Sequence, residues 1–123
     1  MNGLGRIRTG KKGEDIAVAF LKRAGYRILE RNFKCPFGEI DIVAKDRDTV
    51  VFVEVKSRRS EEYGDPQVAV GLEKQKRISK ISLKYLEEKH LYPCDARFDV
   101  VAIKMLPGGN KVELIQNAFE LTL

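Results

Sequence analysis

Two short segments, Gly38-Glu39-Ile40-Asp41-Ile42-Val43 and Phe52-Val53-Glu54-Val55-Lys56, place ionisable side chains inside runs that otherwise have the composition of buried strand. Strand side chains alternate between faces, so Glu39 and Asp41 are expected to share a face with Val43, and Phe52, Glu54 and Lys56 to share one in the second segment. Valines and isoleucines fill the opposite faces. A carboxylate buried on an apolar strand needs a cation, a substrate or an ionic partner. The polar run Asp46-Arg47-Asp48-Thr49 joins the two segments, which makes them a hairpin. If Lys45 stands opposite Val50 across a four-residue loop, Asp41 lies opposite Glu54 on the same face, with Cβ atoms roughly 4.5 to 5.5 Å apart. A slip of one residue would separate the two carboxylates and turn the valine face the wrong way. Like charges at that distance repel, and hard oxygen ligands suit Mg²⁺ or Mn²⁺ as the compensating cation.

The remaining pattern supplies a frame for this hairpin. Thr9 is expected to cap a helix that runs to about Ala24 and stops at Gly25, with Ile16, Ala17, Phe20, Leu21 and Ala24 on its apolar arc. Arg27 to Phe33 reads as a strand and Cys35-Pro36-Phe37-Gly38 as a turn. After the hairpin, Arg58 to Asp65 is a polar loop, and a second helix is expected within Pro66 to Lys89, with Ile78, Ile81, Tyr85 and Leu86 facing inward. Tyr92-Pro93 closes that helix. Strands follow at Arg97 to Met105 and Lys111 to Gln116, separated by the turn signal Leu106-Pro107-Gly108-Gly109-Asn110. The order αβββαββ implies an α/β fold with a central mixed sheet flanked by two helices. At 123 residues the chain is expected to form one domain, residues 1–123.

Several function classes are excluded at this level. No apolar stretch approaches the roughly 20 residues that span a bilayer, and Met1 to Lys12 lacks the apolar centre of a signal peptide, so a cytoplasmic protein without a membrane partner is expected. Cys35 and Cys94 have no CxxC or Cys/His spacing, which indicates neither a zinc site nor a disulfide framework. The single histidine, His90, reads as a polar residue at a helix end. Gly108-Gly109 lacks the strand-to-helix context of a phosphate loop.

Charge suggests the partner. Lys and Arg number 23 against 18 Asp and Glu, a net charge of +5. The basic residues gather at Arg6, Arg8, Lys11 and Lys12, at Lys56, Arg58 and Arg59 directly after the acidic strand, and along the second helix. There Lys76, Arg77, Lys80 and Lys84 fall on one face at 100° per residue, with Lys74 nearby. A surface that tracks phosphates has this pattern, and so does an ordinary solvated face. Tyr63 and Asp65, in the loop after Lys56, read either as turn residues or as nucleic-acid contacts. Asp99, between Phe98 and Val100, reads as support for Lys56 or an arginine.

The first helix offers a third carboxylate. By helical angle Glu14 stands at the edge of the inward arc near Ala17, Val18 and Leu21, whereas Asp15, Lys22 and Arg23 point outward; a first-turn Glu favoured by the helix dipole is the simpler explanation for Glu14 alone. Glu14 on an opening helix, Asp41 on a strand, and Glu54-Val55-Lys56 on the next strand together resemble the PD-(D/E)XK nuclease superfamily and its restriction-endonuclease-like fold. Nearly end to end, the strings Thr9-Gly10 with Gly13-Glu14, Gly38-Glu39-Ile40-Asp41, Phe52-Val53-Glu54-Val55-Lys56 and Arg97-Phe98-Asp99-Val100-Val101 resemble the YraN-like family of small bacterial proteins, which is similar to archaeal Holliday-junction resolvases. Ile40 stands where the superfamily motif has proline.

That resemblance implies a metal-dependent endonuclease acting on DNA, with branched or structured DNA as the extension suggested by the resolvases. It implies that Asp41, Glu54 and the carbonyl of Val55 hold Mg²⁺ or Mn²⁺, that Lys56 orients or deprotonates the attacking water, that Glu14 assists through water or a second metal, and that Gln75 adds a polar catalytic group from the second helix. Arg8, Lys11, Arg58, Arg59, Lys76, Lys80 and Lys84 would contact nucleic acid. A resolvase-like role would favour a homodimer, because two opposed strands must be cut. A binding module of the same fold and a protein-interaction factor are the competing readings.

Overall fold

The computed structural model describes residues 3–59 and 69–123, with side chains from residue 10 onward. The elements run α1 (Gly3–Arg23), β1 (Arg27–Cys35), β2 (Gly38–Asp46), β3 (Thr49–Arg59), α2 (Leu72–Glu88), β4 (Asp95–Leu106) and β5 (Gly109–Phe119). The expected order αβββαββ is observed, as one mixed five-stranded sheet in the order β1-β2-β3-β4-β5. Among the described residues only β3 and β4 pair in parallel, because α2 lies between them in sequence and returns the chain to the same end of the sheet. The five-stranded mixed sheet and two helices formed by the described residues are consistent with a restriction-endonuclease-like fold. No helix among the described residues is long and apolar enough to cross a membrane.

A helix on each face explains the sequence pattern of the central strands. Ala17 and Leu21 of α1 pack with Tyr26, Ile42, Ala44, Val51, Val53, Val101 and Ile103 on one face. On the other, Ile78, Ile81, Tyr85 and Leu86 of α2 pack with Phe33, Val43, Phe52, Phe98 and Val100, as their periodicity requires. Burial on both faces is why Val50 to Val53 and Val100 to Ile103 are continuous apolar runs. Tyr85 fixes α2 over the sheet through edge-on contacts with Phe33 and Phe52, at centroid distances of 5.0 and 5.8 Å.

Some boundaries differ from the sequence expectation. Thr9 lies inside α1 and cannot be its N-terminal cap, since the helix begins at Gly3. The β2–β3 loop is shorter than expected: Asp46 pairs with Thr49, leaving a two-residue turn in which Arg47 takes a left-handed φ of 58°. Extra paired residues extend β1 to Cys35, β4 to Leu106 and β5 to Phe119, because cross-strand hydrogen bonds continue past the last strongly apolar position. Gly25 ends α1 as expected, with a φ of 96°. Most of the loop read between Arg58 and Asp65, with Tyr63, lies outside the described residues. Both cysteines are free.

Gly13 sets how closely α1 approaches the sheet. A Cβ added there would stand 2.9 Å from Ser57 Oγ and 3.1 Å from Ser57 Cβ, so only glycine allows this helix turn to rest on β3. Gly13→Ala should lower stability by about 1 to 3 kcal/mol through overpacking, measured by urea unfolding, even though alanine is the better helix former. Gly13→Ala with Ser57→Ala should recover part of that loss.

Candidate active site

The expected register of the motif hairpin is observed, with Lys45 opposite Val50, Ala44 opposite Val51 and Ile42 opposite Val53. Continuing it sets Asp41 opposite Glu54. At this position backbone pairing between β2 and β3 stops, and the Asp41 carboxylate takes over: its Oδ2 accepts the Val55 N–H at 2.8 Å. The strand also departs from strict alternation here. Ile40 packs in the α2-side cluster with Val43, while Ile42 packs in the α1-side cluster. The expectation that Glu39, Asp41 and Val43 share one face is therefore corrected for Glu39, which is exposed. Irregularities that re-aim a side chain are frequent beside functional sites.

The two carboxylates interact strongly. Burial pushes the Asp41 carboxyl up from 3.8 to about 7, and the facing Glu54 adds to the shift, as does Glu14 more weakly; the Val55 N–H and Lys74 act in the opposite direction. Glu54 itself is only 9% exposed. Its carboxylate forms an ion pair with the ammonium of Lys74, from the first turn of α2. Helical angle alone does not single out Lys74 among the basic residues of α2. A lysine stem is long enough to reach the sheet from a position that the helix axis alone would leave at the boundary.

Lys56 follows Glu54 on β3 but is bonded elsewhere, donating from Nζ to the Ala69 carbonyl at 3.2 Å. Gln75 is anchored beside it: Nε2 donates to the Val70 carbonyl at 2.8 Å, and Oε1 accepts from the Thr122 hydroxyl at 3.3 Å. Lys56 and Gln75 thus both hold residues 69–70, the approach to α2. Glu14 turns toward β1, where its Oε1 accepts from Arg31 at 3.2 Å and from Asn32 at 3.0 Å, with a side chain 15% exposed. Asn32, with a φ of 55°, is held in the left-handed conformation that asparagine tolerates better than most residues. Arg31 also binds Asp15 at 2.7 Å.

Asp99 supports an arginine rather than Lys56. It is 0% exposed and accepts from Arg97 Nε at 2.9 Å, the Tyr26 hydroxyl at 2.9 Å and the Asn117 N–H at 3.0 Å. Arg97 reaches on to Asp46 at 3.0 Å. This fully bonded network lies on the α1 side of the sheet and ties β2, β4 and β5 together, away from Glu54 and Lys56.

Most of the basic residues read as phosphate contacts lie at the surface. Lys11, Arg58, Arg59, Lys76, Arg77 and Lys80 are exposed, and Lys84 is half-buried with Glu87 at 3.9 Å. The backbone of Arg8 lies in α1, but its side chain is outside the described residues. His90 follows α2 with a φ of 54°, exposed, as a polar residue at the helix end.

A model of the uncharacterised protein family UPF0102 matches residues 13–103, from the glycine that seats α1 to the middle of β4. A UPF0102 protein of Syntrophus aciditrophicus is 64% identical over 94% of this chain and 91% of its own length. The chain belongs to the UPF0102 family. Among other UPF0102 relatives, one from Geobacter sulfurreducens is 54% identical over 91% of this chain and 88% of its own, and one from Thermodesulfovibrio yellowstonii is 46% identical over 94% and 99%. The UPF0102 match takes in Glu14, Asp41, Glu54, Lys56 and Lys74, which the fold brings to one end of the hairpin and the facing first turn of α2.

The donor set can be tested against a divalent cation. Among the described residues no three His, Cys, Asp or Glu side chains form a metal cage. Two carboxylates with one backbone carbonyl nevertheless fit a small hard cation that keeps much of its water shell. The Lys74 ammonium already sits against Glu54, which shows that the position favours positive charge.

Proposed function

We propose that this UPF0102 chain is a metal-dependent endonuclease of the PD-(D/E)XK superfamily that hydrolyses phosphodiester bonds in DNA. The observation that carries the reading is the Asp41 and Glu54 pair, held across the β2–β3 hairpin with Asp41 displaced toward neutrality first by burial and then by its neighbour. A structural role explains such a pair poorly, since like charges on one strand face cost stability unless a cation is brought to them.

Asp41, Glu54 and the Val55 carbonyl would hold Mg²⁺ or Mn²⁺. Such an ion supplies polarisation of the scissile phosphate and a lower pKa for bound water. The protein does the rest. Val55 N–H fixes the Asp41 carboxylate in orientation, and Lys74 neutralises Glu54, a charge that a divalent cation would compensate in its place. Lys56, two residues past Glu54, would release the Ala69 carbonyl and orient the water that attacks phosphorus. The bond from phosphorus to the 3′ oxygen would then break, the departing 3′ oxygen would take a proton from water to become the 3′ hydroxyl, and the new end would carry a 5′ phosphate. Glu14 would act at the edge of the site, through water, from its anchor on Arg31 and Asn32. Gln75 would act chiefly by holding the approach to α2. A symmetric dimer would suit a branched substrate with two strands to cut.

The direct test incubates the purified protein with linear duplex, single-stranded, flap and four-way-junction DNA, and with structured RNA, in Mg²⁺ or Mn²⁺. Cleavage of at least one DNA substrate is expected, with 5′-phosphate ends and loss in chelator. No cleavage across the panel would leave a binding module as the better reading.

Binding has its own expected outcome. Phosphate contacts release counterions, so affinity should fall steeply with salt, and replacing Lys76, Lys80 and Lys84 together by alanine should reduce the slope of log K against log salt by about two to three. Fluorescence anisotropy over a salt series measures it. An unchanged slope would remove this face of α2 from the interface.

A further inference from the structure

We infer that Phe37 is a stacking platform for an unpaired base, at the far end of a cationic stripe that begins on Glu54; the inference rests on the nucleic-acid reading above and deepens it. Phe37 is 50% exposed at the tip of the β1–β2 turn. The turn is tight and stiff: Cys35 pairs with Gly38, leaving only Pro36 and Phe37 between the strands, and Gly38 carries a φ of 137° that L side chains rarely adopt. The ring is therefore presented by a rigid element and not by a loose loop. From Phe37 the chain runs directly into β2 and reaches Asp41 within about 13 Å of extended strand.

The surroundings of the ring distinguish it from an incidental exposed apolar residue. Helix α2 lays three cations along the same path, spaced three residues apart and so about 4.5 Å apart in rise. Lys74 is on Glu54, the stem of Arg77 lies over Gly38, where an added Cβ would be 3.4 Å from Arg77 Cδ, and Lys80 Nζ is 5.9 Å from the Phe37 ring centroid. The stripe thus connects the carboxylate pair to the aromatic tip.

A partner for this surface must offer a flat apolar face and anionic charge close together. An apolar protein surface would bury Lys80 and Arg77 without compensation. A nucleotide satisfies both demands, with its base on Phe37 and its phosphates along Arg77 and Lys80. In a blunt duplex the base faces are already stacked on their neighbours, so the platform selects nucleic acid with an unpaired base, as in a single strand, a flap or a fork. The stacked base would lie at the other end of the stripe from the phosphate presented to Asp41 and Glu54.

The chain has no tryptophan, so Phe37→Trp creates a sole tryptophan at the tip, excited selectively over the tyrosines at long wavelength. Binding is measured in chelator at low salt, which keeps it separate from cleavage, with three probes: oligothymidylate, a blunt duplex and inorganic polyphosphate. Phe37→Trp should retain wild-type affinity for oligothymidylate, and its emission should be quenched by that probe but not by polyphosphate. Phe37→Ala should bind oligothymidylate about tenfold more weakly, yet bind the duplex and polyphosphate within about twofold of wild type. Equal losses on all three probes, or a tryptophan emission unmoved at saturating oligothymidylate, would overturn the platform and leave phosphate binding and the nuclease reading standing. If the wild-type protein binds no nucleic acid at all, the underlying reading fails and the platform with it.

Discussion

Glu54→Gln is expected to abolish metal-dependent cleavage, with a fall of at least about a thousandfold in the single-turnover rate, because it removes a ligand charge that acts on the phosphate throughout the reaction. The substitution is nearly isosteric and leaves Phe52 and Val100 packed as they are. Loss of activity should come with a normal thermal transition and with loss of metal binding. Lys56→Ala should separate those two outcomes. Its ammonium is bonded to the Ala69 carbonyl and not to either carboxylate, so its removal should leave metal binding and most DNA affinity in place while lowering the rate by about a hundred- to a thousandfold. Glu14→Gln should fall between wild type and Glu54→Gln, since its anchors are on β1. Single-turnover assays with metal titrations measure all three. If Glu54→Gln and Lys56→Ala cleave as wild type does, the activity belongs to a contaminant and the carboxylate pair has another purpose.

How far the site could be read from residues alone follows from which interactions are local. The hairpin register was legible in part, because a slip by one residue would have turned Ile42, Val51 and Val53 to the wrong face and separated Asp41 from Glu54, and the apolar arc of α2 was legible because Ile78, Ile81, Tyr85 and Leu86 repeat with the helix period. The local shift in alternation at Asp41 was not. It depends on β2 keeping its pairing with β1 while giving up its pairing with β3, a competition between two neighbours that no period of two can express. Partners distant in sequence were hidden for the same reason. Nothing near Glu54 announces Lys74, and nothing near Asp99 announces Tyr26, 73 residues away. A weak signal did exist for Glu14: Arg31 and Asn32 are polar residues within β1, and Asn32 is a residue type that accepts the left-handed backbone seen there. The exposed Phe37 was visible only as a turn residue, since its meaning comes from the α2 cations packed beside it.

The pH dependence of stability should expose the carboxylate pair without any substrate. Asp41 is raised from 3.8 to about 7 in the folded chain, first by burial and then by Glu54. A carboxyl raised on folding holds its proton more tightly in the native state, so its stabilising contribution is fully present below about pH 4 and is lost as pH rises through about 7. Each pH unit of displacement corresponds to about 1.4 kcal/mol, and the loss amounts to a few kcal/mol. In chelator the wild-type melting temperature should therefore decline between about pH 5 and pH 8 relative to Asp41→Asn, which cannot ionise there and should be the more stable of the two at pH 8. Mg²⁺ or Mn²⁺ should reverse the ranking. Protons compete with the cation for the pair, so millimolar metal should stabilise wild type little at pH 5 and strongly at pH 8, by about 2.7 kcal/mol when the ion is at a hundred times its dissociation constant, or on the order of 10 °C in a chain of this size. Asp41→Asn should lose most of that increment. Lys74→Gln should respond at lower metal concentration than wild type, because the ammonium that the ion must displace from Glu54 is gone. Differential scanning fluorimetry across pH and metal concentration measures each arm. A metal increment of equal size at pH 5 and pH 8, or one retained by Asp41→Asn, would place the ion somewhere other than this pair.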